Sequence, residues 1–160
     1  DTGVTLDLMI HDIDIVLDLV KSPVKHIDSV GACILSKTED IANARVRFEN
    51  QAVCDLTASR VTPDIQRRIR IFQDNAYISI DYVSQEAQIY TKDNGGIHHK
   101  KIDITKSDSL KEELTDFIEC VRSNKRPLVS GEEGREALAV ALEISKQIHS
   151  TTHVPAGNVG

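Results

Sequence analysis

Apolar side chains fill most of residues 5–20, TLDLMIHDIDIVLDLV, and four polar positions interrupt them at steps of four, three and four residues. That spacing places the four on one narrow face of a helix. The pattern predicts a helix from about Leu6 to Val20 that ends before Pro23, because proline cannot continue a helix. The four interrupting residues are Asp7, His11, Asp14 and Asp18.

From residue 24 onward the apolar period changes to two. In ANARVRF, residues 42–48, apolar side chains alternate strictly with asparagine and arginine, and AVCDLTASR, residues 52–60, alternates again. The DNGG of residues 93–96 is a strong hairpin signal. Short turns between such runs predict an antiparallel meander of about six strands. The other strand-like runs are 24–35, 67–72, 76–83, 86–91 and 96–104.

Two amphipathic helices are predicted to close the chain. In the second of them, Ser130 and Glu133 have the spacing of a capping box. The predicted fold class is therefore α+β, an open, mainly antiparallel β-sheet of about six strands with helices packed on one face. The apolar stripe of the first helix is Leu110, Leu114, Phe117, Ile118 and Val121. The predicted inner face of the second is Leu138, Ala141, Leu142, Ser145 and Ile148.

Length and composition narrow the class of protein. The 160 residues predict one domain, residues 1–150, and a flexible tail, residues 151–160. A net charge of −6 argues against nucleic-acid binding, which needs a concentrated basic surface. The sequence shows neither a membrane-spanning run nor a signal peptide, and its three cysteines are typical of buried thiols in a reducing compartment, which predicts a cytoplasmic protein. Because the chain starts at Asp1 and enters a helix almost at once, we expect a piece of something longer.

The spacing of Asp7 and His11 is the leading candidate for chemistry. A carboxylate four residues before a histidine on one helix face can orient the imidazole and favour its protonated form, as general acid–base catalysis requires. The same stripe is also typical of the solvated edge of an amphipathic helix. A third interpretation is metal binding by Asp7, His11 and Asp14, a ligand set suited to manganese, iron or zinc, although no second histidine lies at helical spacing.

Four stretches of sequence point to one known family. GVTLDLMIHDID, residues 3–14, is a glycine-led segment that runs into Asp-x-x-x-His at the start of a helix. The other three are EDIANARVRFENQAVCDLTASRV (39–61), RRIRIFQDNAYISIDY (67–82) and ELTDFIECVRSNKRPLVSGEEGREALAVALEI (113–144). Together they resemble the C-terminal domain of the glucose–fructose oxidoreductase, inositol dehydrogenase and rhizopine-catabolism (Gfo/Idh/MocA) family. The resemblance covers nearly the whole chain, including a hairpin where that family has a Glu-Asn-Gly turn.

The resemblance implies the substrate-binding and oligomerisation domain of an NAD(P)-dependent oxidoreductase that acts on a sugar, cyclitol or sugar-nucleotide alcohol. It implies that His11 is the acid/base that exchanges the proton of the alcohol, and that Asp7 orients His11 or holds a neighbouring hydroxyl. Asp12 and Asp14 are implied substrate contacts, and Asp14 is also expected to support the helix or a domain interface.

The family's glycine-rich nucleotide loop and its catalytic lysine belong to an N-terminal Rossmann domain, and neither motif occurs in this sequence. We therefore expect no cofactor-binding residue, no bound NAD or NADP, no metal and no turnover in this chain alone. The expected partners are a small polyol or sugar, that Rossmann domain and further copies through the sheet face, without nucleic acid or membrane. The alternative function is a non-catalytic dimerisation or partner-binding module with the same fold.

Overall fold

The computed structural model describes residues 2–63 and 66–151, which form two compact units. The first unit combines the two ends of the chain, up to Thr62 and from Arg126 onward, and the second is Pro63–Lys125. The predicted domain of residues 1–150 thus contains both units, and residues 152–160 of the predicted tail lie outside the described residues. No helix in the described part of the chain is long and apolar enough to cross a membrane.

The first unit contains a helical entry, a three-stranded sheet and the last helix of the chain. The helical entry is confirmed, but it opens with a wider π-helical turn, Thr5–Met9, before α1, Ile10–Val20. The strands are antiparallel in the order β1-β2-β3, and α3 packs on β1 and α1. These elements are β1 (Val24–Ala32), β2 (Ile41–Phe48), β3 (Val53–Ser59) and α3 (Gly131–Thr151).

The alternation in β2 is confirmed, because every second side chain from Ala42 to Phe48 is buried and the residues between them are exposed. Small side chains on this face let α3 approach the sheet closely. An added Cβ on Gly31 of β1 would lie 2.8 Å from both the Ile41 carbonyl oxygen and Ile148 Cγ2 of α3. The Ser29 hydroxyl, also on β1, donates a hydrogen bond of 3.1 Å to the Ile144 carbonyl. The core of this unit therefore lies between α3, α1 and the inner face of the sheet.

The buried face of α3 differs in part from the predicted one. Leu138 and Leu142 are 42% and 51% exposed, so their assignment to the inner face was wrong. Ala137 is buried in their place, and the predicted Ala141, Ser145 and Ile148 are buried as expected. The predicted capping box is present in half, with the Glu133 carboxylate accepting a hydrogen bond from the Ser130 backbone N–H. The buried residues of α3 are Ala137, Ala141, Ile144, Ser145 and Ile148.

The second unit is a four-stranded antiparallel sheet followed by a helix. The α+β class is confirmed, with seven strands that divide into two sheets rather than one. The strand ladder of the first unit stops at Ser59, and the next begins at Arg68, beyond Pro63, which has no backbone N–H to donate. The elements of the second unit are β4 (Arg68–Gln73), β5 (Ala76–Asp81), β6 (Glu86–Asp93), β7 (Gly96–Ile102) and α2 (Ser109–Ser123).

The second unit buries little of its apolar surface. Among the described residues of the second unit, Ala87 alone is buried, and no residue of α2 is buried. The stripe from Leu110 to Val121, predicted to pack on the sheet, is 48–68% exposed. On one face of the sheet four stacked rings run across all four strands, with centroids 4.4–5.6 Å apart. This aromatic column is Phe72, Tyr77, Tyr90 and His99.

Candidate functional site

The predicted site residues lie at the start of the helical entry. Asp7 is in the π-helical turn and His11 is the second residue of α1, and both side chains are exposed. Asp14, one turn further on, is half-buried, and burial raises the pKa of its carboxyl group, with the charges of Asp18 and Glu133 adding to the effect. The nearby charge of His11 opposes this rise. The helix therefore brings His11 and Asp14 into one electrostatic environment.

The charge of Asp12 on α1 acts on a side chain of β3. Burial raises the pKa of the Cys54 thiol on β3 to about 11, and the charges of Asp55 and Asp12 contribute to that rise. Asp12 is itself half-buried. Asp12 is therefore near enough to Cys54 for its charge to act there, and it is less exposed than His11.

Asp7 pairs with an arginine that the sequence analysis did not single out. Arg60, directly after β3, places its Nη2 3.8 Å from Asp7 Oδ2 and donates a hydrogen bond from the same nitrogen to the Thr2 carbonyl oxygen. Its Nε lies 3.9 Å from Asp40 Oδ1. One guanidinium therefore connects the start of the helical entry to the end of the sheet.

Asp40 is wholly buried, and its carboxylate fixes the loop between β1 and β2. Its Oδ2 accepts hydrogen bonds from the backbone N–H groups of Ile34, Leu35 and Ser36, at 2.7, 2.6 and 2.9 Å. The N–H groups of Ser36 and Leu35 hold the pKa of Asp40 well below its ordinary value, against the opposing effect of burial. Asp40 is therefore a charged residue that the protein holds in one place.

Glu39 is a second buried carboxylate, only 1% exposed, and it lies against Gly3. Its backbone carbonyl accepts a 3.0 Å hydrogen bond from the Val4 N–H. Its Oε2 is 3.3 Å from His149 Nε2 of α3, without hydrogen-bond alignment, and neither carboxylate oxygen has a hydrogen-bond partner among the described residues. The Glu39 side chain is therefore buried beside the start of the helical entry.

The sequence contained one signal for the cluster of Glu39, Asp40 and Arg60. Two acidic residues, Glu39 and Asp40, stand directly before the alternating run of β2, and Arg60 directly follows the alternating run of β3. Because β2 and β3 are antiparallel, the first residue of β2 and the last residue of β3 lie side by side at the same end of the sheet. Reading those flanks together would have identified Asp40 and Arg60 as neighbours.

The metal interpretation gains no support from the geometry. In residues 2–63 and 66–151, no group of three or more histidine, cysteine, aspartate or glutamate side chains is arranged to hold a metal ion. Within the described ranges, Cys33, Cys54 and Cys120 form no disulfide. Cys54 and Cys120 are half-buried, whereas Cys33 is exposed, so the expectation of burial was wrong for Cys33.

The contact between Gly3 and Glu39 predicts the effect of one added methyl group. An added Cβ on Gly3 would overlap the Glu39 carboxylate, so Gly3→Ala is expected to lower the free energy of unfolding by about 1–3 kcal/mol. In a Glu39→Ala background the obstacle is gone, and the same change should cost less than about 0.5 kcal/mol. Urea unfolding of the four variants measures this coupling. Gly134→Ala is the control, because an added Cβ there meets nothing within 4 Å and should stabilise α3. Equal costs in both backgrounds would contradict the contact.

Comparison with known proteins gives consistent matches. Residues 1–79 match the family model of the GFO/IDH/MocA C-terminal domain. The chain is 33% identical over 150 residues to UDP-N-acetylglucosamine 3-dehydrogenase of Acidithiobacillus ferrooxidans, covering 90% of this chain and 48% of that enzyme. It is 28% identical over 162 residues to myo-inositol 2-dehydrogenase of Thermotoga maritima, covering 95% of this chain and 48% of that enzyme.

Solved structures agree with these sequence matches. The Acidithiobacillus ferrooxidans enzyme superposes with a TM-score of 0.87 and 32% identity, over 94% of this chain and 48% of that one. A levoglucosan dehydrogenase in complex with NADH shares the fold, with a TM-score of 0.80 and 15% identity over 93% of this chain and 49% of that one. The chain spans about half the length of the curated relatives it matches. It belongs to the Gfo/Idh/MocA family, as a domain of the C-terminal type.

Proposed function

We propose that this chain is the substrate-binding domain of an NAD(P)-dependent dehydrogenase that oxidises an alcohol group of a sugar, a cyclitol or a nucleotide-linked sugar. The observation that carries the proposal is the exposed His11 on α1, with Asp7 before it and Asp14 after it. The names of the two sequence relatives support the substrate class, because each name specifies a substrate that contains a polyhydroxylated ring.

His11 is proposed as the proton acceptor in alcohol oxidation. An exposed imidazole beside carboxylates can take the hydroxyl proton while the carbon–oxygen bond becomes double, and can return it in the reverse direction. Asp7 is proposed to orient the imidazole. Asp12 and Asp14 remain proposed acceptors for substrate hydroxyl groups.

The described residues do not fit the nicotinamide cofactor. Both sheets are antiparallel, whereas a dinucleotide is held by a strand, a glycine-rich turn and a helix in a parallel sheet. In the proposed reaction the cofactor would accept hydride. We propose that a Rossmann domain elsewhere in a longer protein binds NAD or NADP, since the relatives are about twice the length of this chain.

The test is an assay of the full-length gene product with sugars, cyclitols and nucleotide-linked sugars, each with NAD or NADP. Reduction of the nicotinamide, followed by absorbance, is expected with one of the three substrate classes. A full-length protein that binds the cofactor but reduces it with no member of the panel would refute the proposal. It would favour the non-catalytic module instead.

We propose that the protein forms oligomers through the face of the four-stranded sheet that carries the aromatic column. The face that carries the aromatic column also carries two ion pairs, Arg68 with Asp81 and Lys101 with Glu86, each at 2.7 Å, and Phe72 is 75% exposed there. Burial of such a patch against a second copy removes apolar area from water. We expect Phe72→Arg to lower the apparent mass in analytical ultracentrifugation by at least half. An unchanged mass for the variant, or a monomeric wild type at high concentration, would rule this interface out.

A further inference from the structure

Arg60 occupies an unusual position at the edge of the first unit. It follows the last residue of β3, and its side chain is only 29% exposed. Its backbone N–H donates a 3.0 Å hydrogen bond to the Asp40 carbonyl, which fixes the main chain from which the side chain extends. A partly buried arginine has a restricted range of positions for its guanidinium group.

The buried carboxylate of Asp40 gives this arginine a fixed electrostatic partner. Three backbone N–H groups donate hydrogen bonds to Asp40 Oδ2 and immobilise the side chain, and its other oxygen lies 3.9 Å from Arg60 Nε. That oxygen has no hydrogen-bond partner among the described residues, so the arginine is the cation that offsets its buried charge. The attraction holds the guanidinium at the end of β3.

The other end of the guanidinium reaches the proposed site. Its Nη2 donates to the Thr2 carbonyl oxygen and lies 3.8 Å from Asp7 Oδ2. The Asp7 side chain is otherwise 60% exposed, and an exposed carboxylate samples several rotamers. The planar arginine fork can contact a backbone carbonyl and a carboxylate at once, which the single ammonium of lysine does less well.

Two roles are chemically open to a cation beside Asp7. It can bind an anionic group of the substrate directly, or it can hold Asp7 in place. Arg60 has two carboxylates, Asp7 and Asp40, within 4 Å of its one positive charge. The charge is therefore already balanced within the protein, and this favours the second role.

We infer that Arg60 is a positioning residue that couples the buried Asp40 to Asp7 and sets the place of the Asp7 carboxylate before His11. This inference rests on the proposed function. Arg60 acts through Asp7 and does not touch the substrate. Its loss therefore affects the chemical step more than the binding of the alcohol.

The experiment uses the full-length protein with Arg60→Met, Arg60→Lys and a matched control. Arg60→Met is expected to lower kcat by about 10- to 100-fold while KM changes less than about threefold, and Arg60→Lys should recover part of the loss. The control is Arg45→Met on the exposed face of the same sheet. Arg45 contacts Asp55 through two hydrogen bonds of 2.6 and 2.9 Å, and its removal should leave kcat and KM within about twofold.

A cycle with Asp7→Asn separates positioning from other roles. If Arg60 acts through Asp7, Arg60→Met lowers kcat by less than about threefold in the Asp7→Asn background. Full additivity on kcat would overturn the inference. A rise in KM with unchanged kcat would also overturn it, by showing direct substrate binding.

The four proteins of this cycle, the wild type, Arg60→Met, Asp7→Asn and the double variant, also test the inference without an activity assay. If the wild type turns over no substrate, the proposed function fails, and the link between Arg60 and Asp7 is then judged by urea unfolding alone. Non-additive midpoints support the link, and additive midpoints overturn it.

Discussion

The His11→Ala variant of the full-length enzyme is expected to retain between about one hundredth and one ten-thousandth of the wild-type kcat. His11 is exposed in the second position of α1, and no other histidine of the described chain lies on that helix. Removing the imidazole leaves water to take the proton from the alcohol. Binding of NAD or NADP should not change, because the residues of this chain are not expected to contact it.

The measurement is steady-state kinetics over a range of pH, with cofactor affinity from equilibrium titration. The limb of the kcat profile that belongs to the acid–base group should disappear in His11→Ala. His26→Ala is the matched control, because His26 is an exposed histidine on β1 with Asp28 at 3.0 Å, and its loss should leave kcat within about twofold. A His11→Ala enzyme with more than about a tenth of wild-type kcat would show that His11 is not the acid/base.

A Phe48→Ala protein is expected to lose about 3–5 kcal/mol of unfolding free energy. Phe48 is the largest fully buried side chain of the first unit and lies 2% exposed at the end of β2. Its removal loses the burial of a whole aromatic ring and leaves a cavity in the core of the first unit that the surrounding backbone can only partly close. A loss of this size is a large share of the stability of a small domain.

Hydrogen exchange of the β2 amides is the suitable measurement, because the three tyrosines, Tyr77, Tyr82 and Tyr90, lie in the second unit and their fluorescence does not report on β2. The control is Phe117→Ala on α2, where the ring is 60% exposed and the expected loss is about 1 kcal/mol or less. Equal losses for the two phenylalanines would contradict the assignment of the core to the first unit.

The elements were predictable where the sequence pattern is local. The strict alternation of residues 42–48 gave both the strand and its buried face, and the DNGG of residues 93–96 gave a hairpin that the structure confirms. The inner face of α3 was predicted only in part. Leu138 and Ala137 are adjacent on that helix, and which of the two is buried depends on how α3 packs against β1, α1 and the π-helical turn. That packing is a tertiary property, which helical periodicity does not contain.

The candidate site shows the same division between local and distant information. The spacing of Asp7 and His11 is visible within one helix, and this pair was proposed from the sequence. Arg60 comes 53 residues after Asp7, and its salt bridge with that residue forms because the π-helical turn packs against β3. Periodicity within a segment gives no information about such a pair.

The chain order of the first unit has a consequence for folding. The Ser29 hydroxyl on β1 contacts α3 across 115 residues of sequence, whereas the strands of the second unit pair with their immediate neighbours. Contacts between distant residues form slowly because a long loop must close first. During synthesis, which proceeds from the N-terminus, the part of the apolar core that α3 covers on β1 and α1 stays exposed until α3 emerges. We expect this interval to be when the nascent chain is most prone to aggregation and most dependent on chaperones.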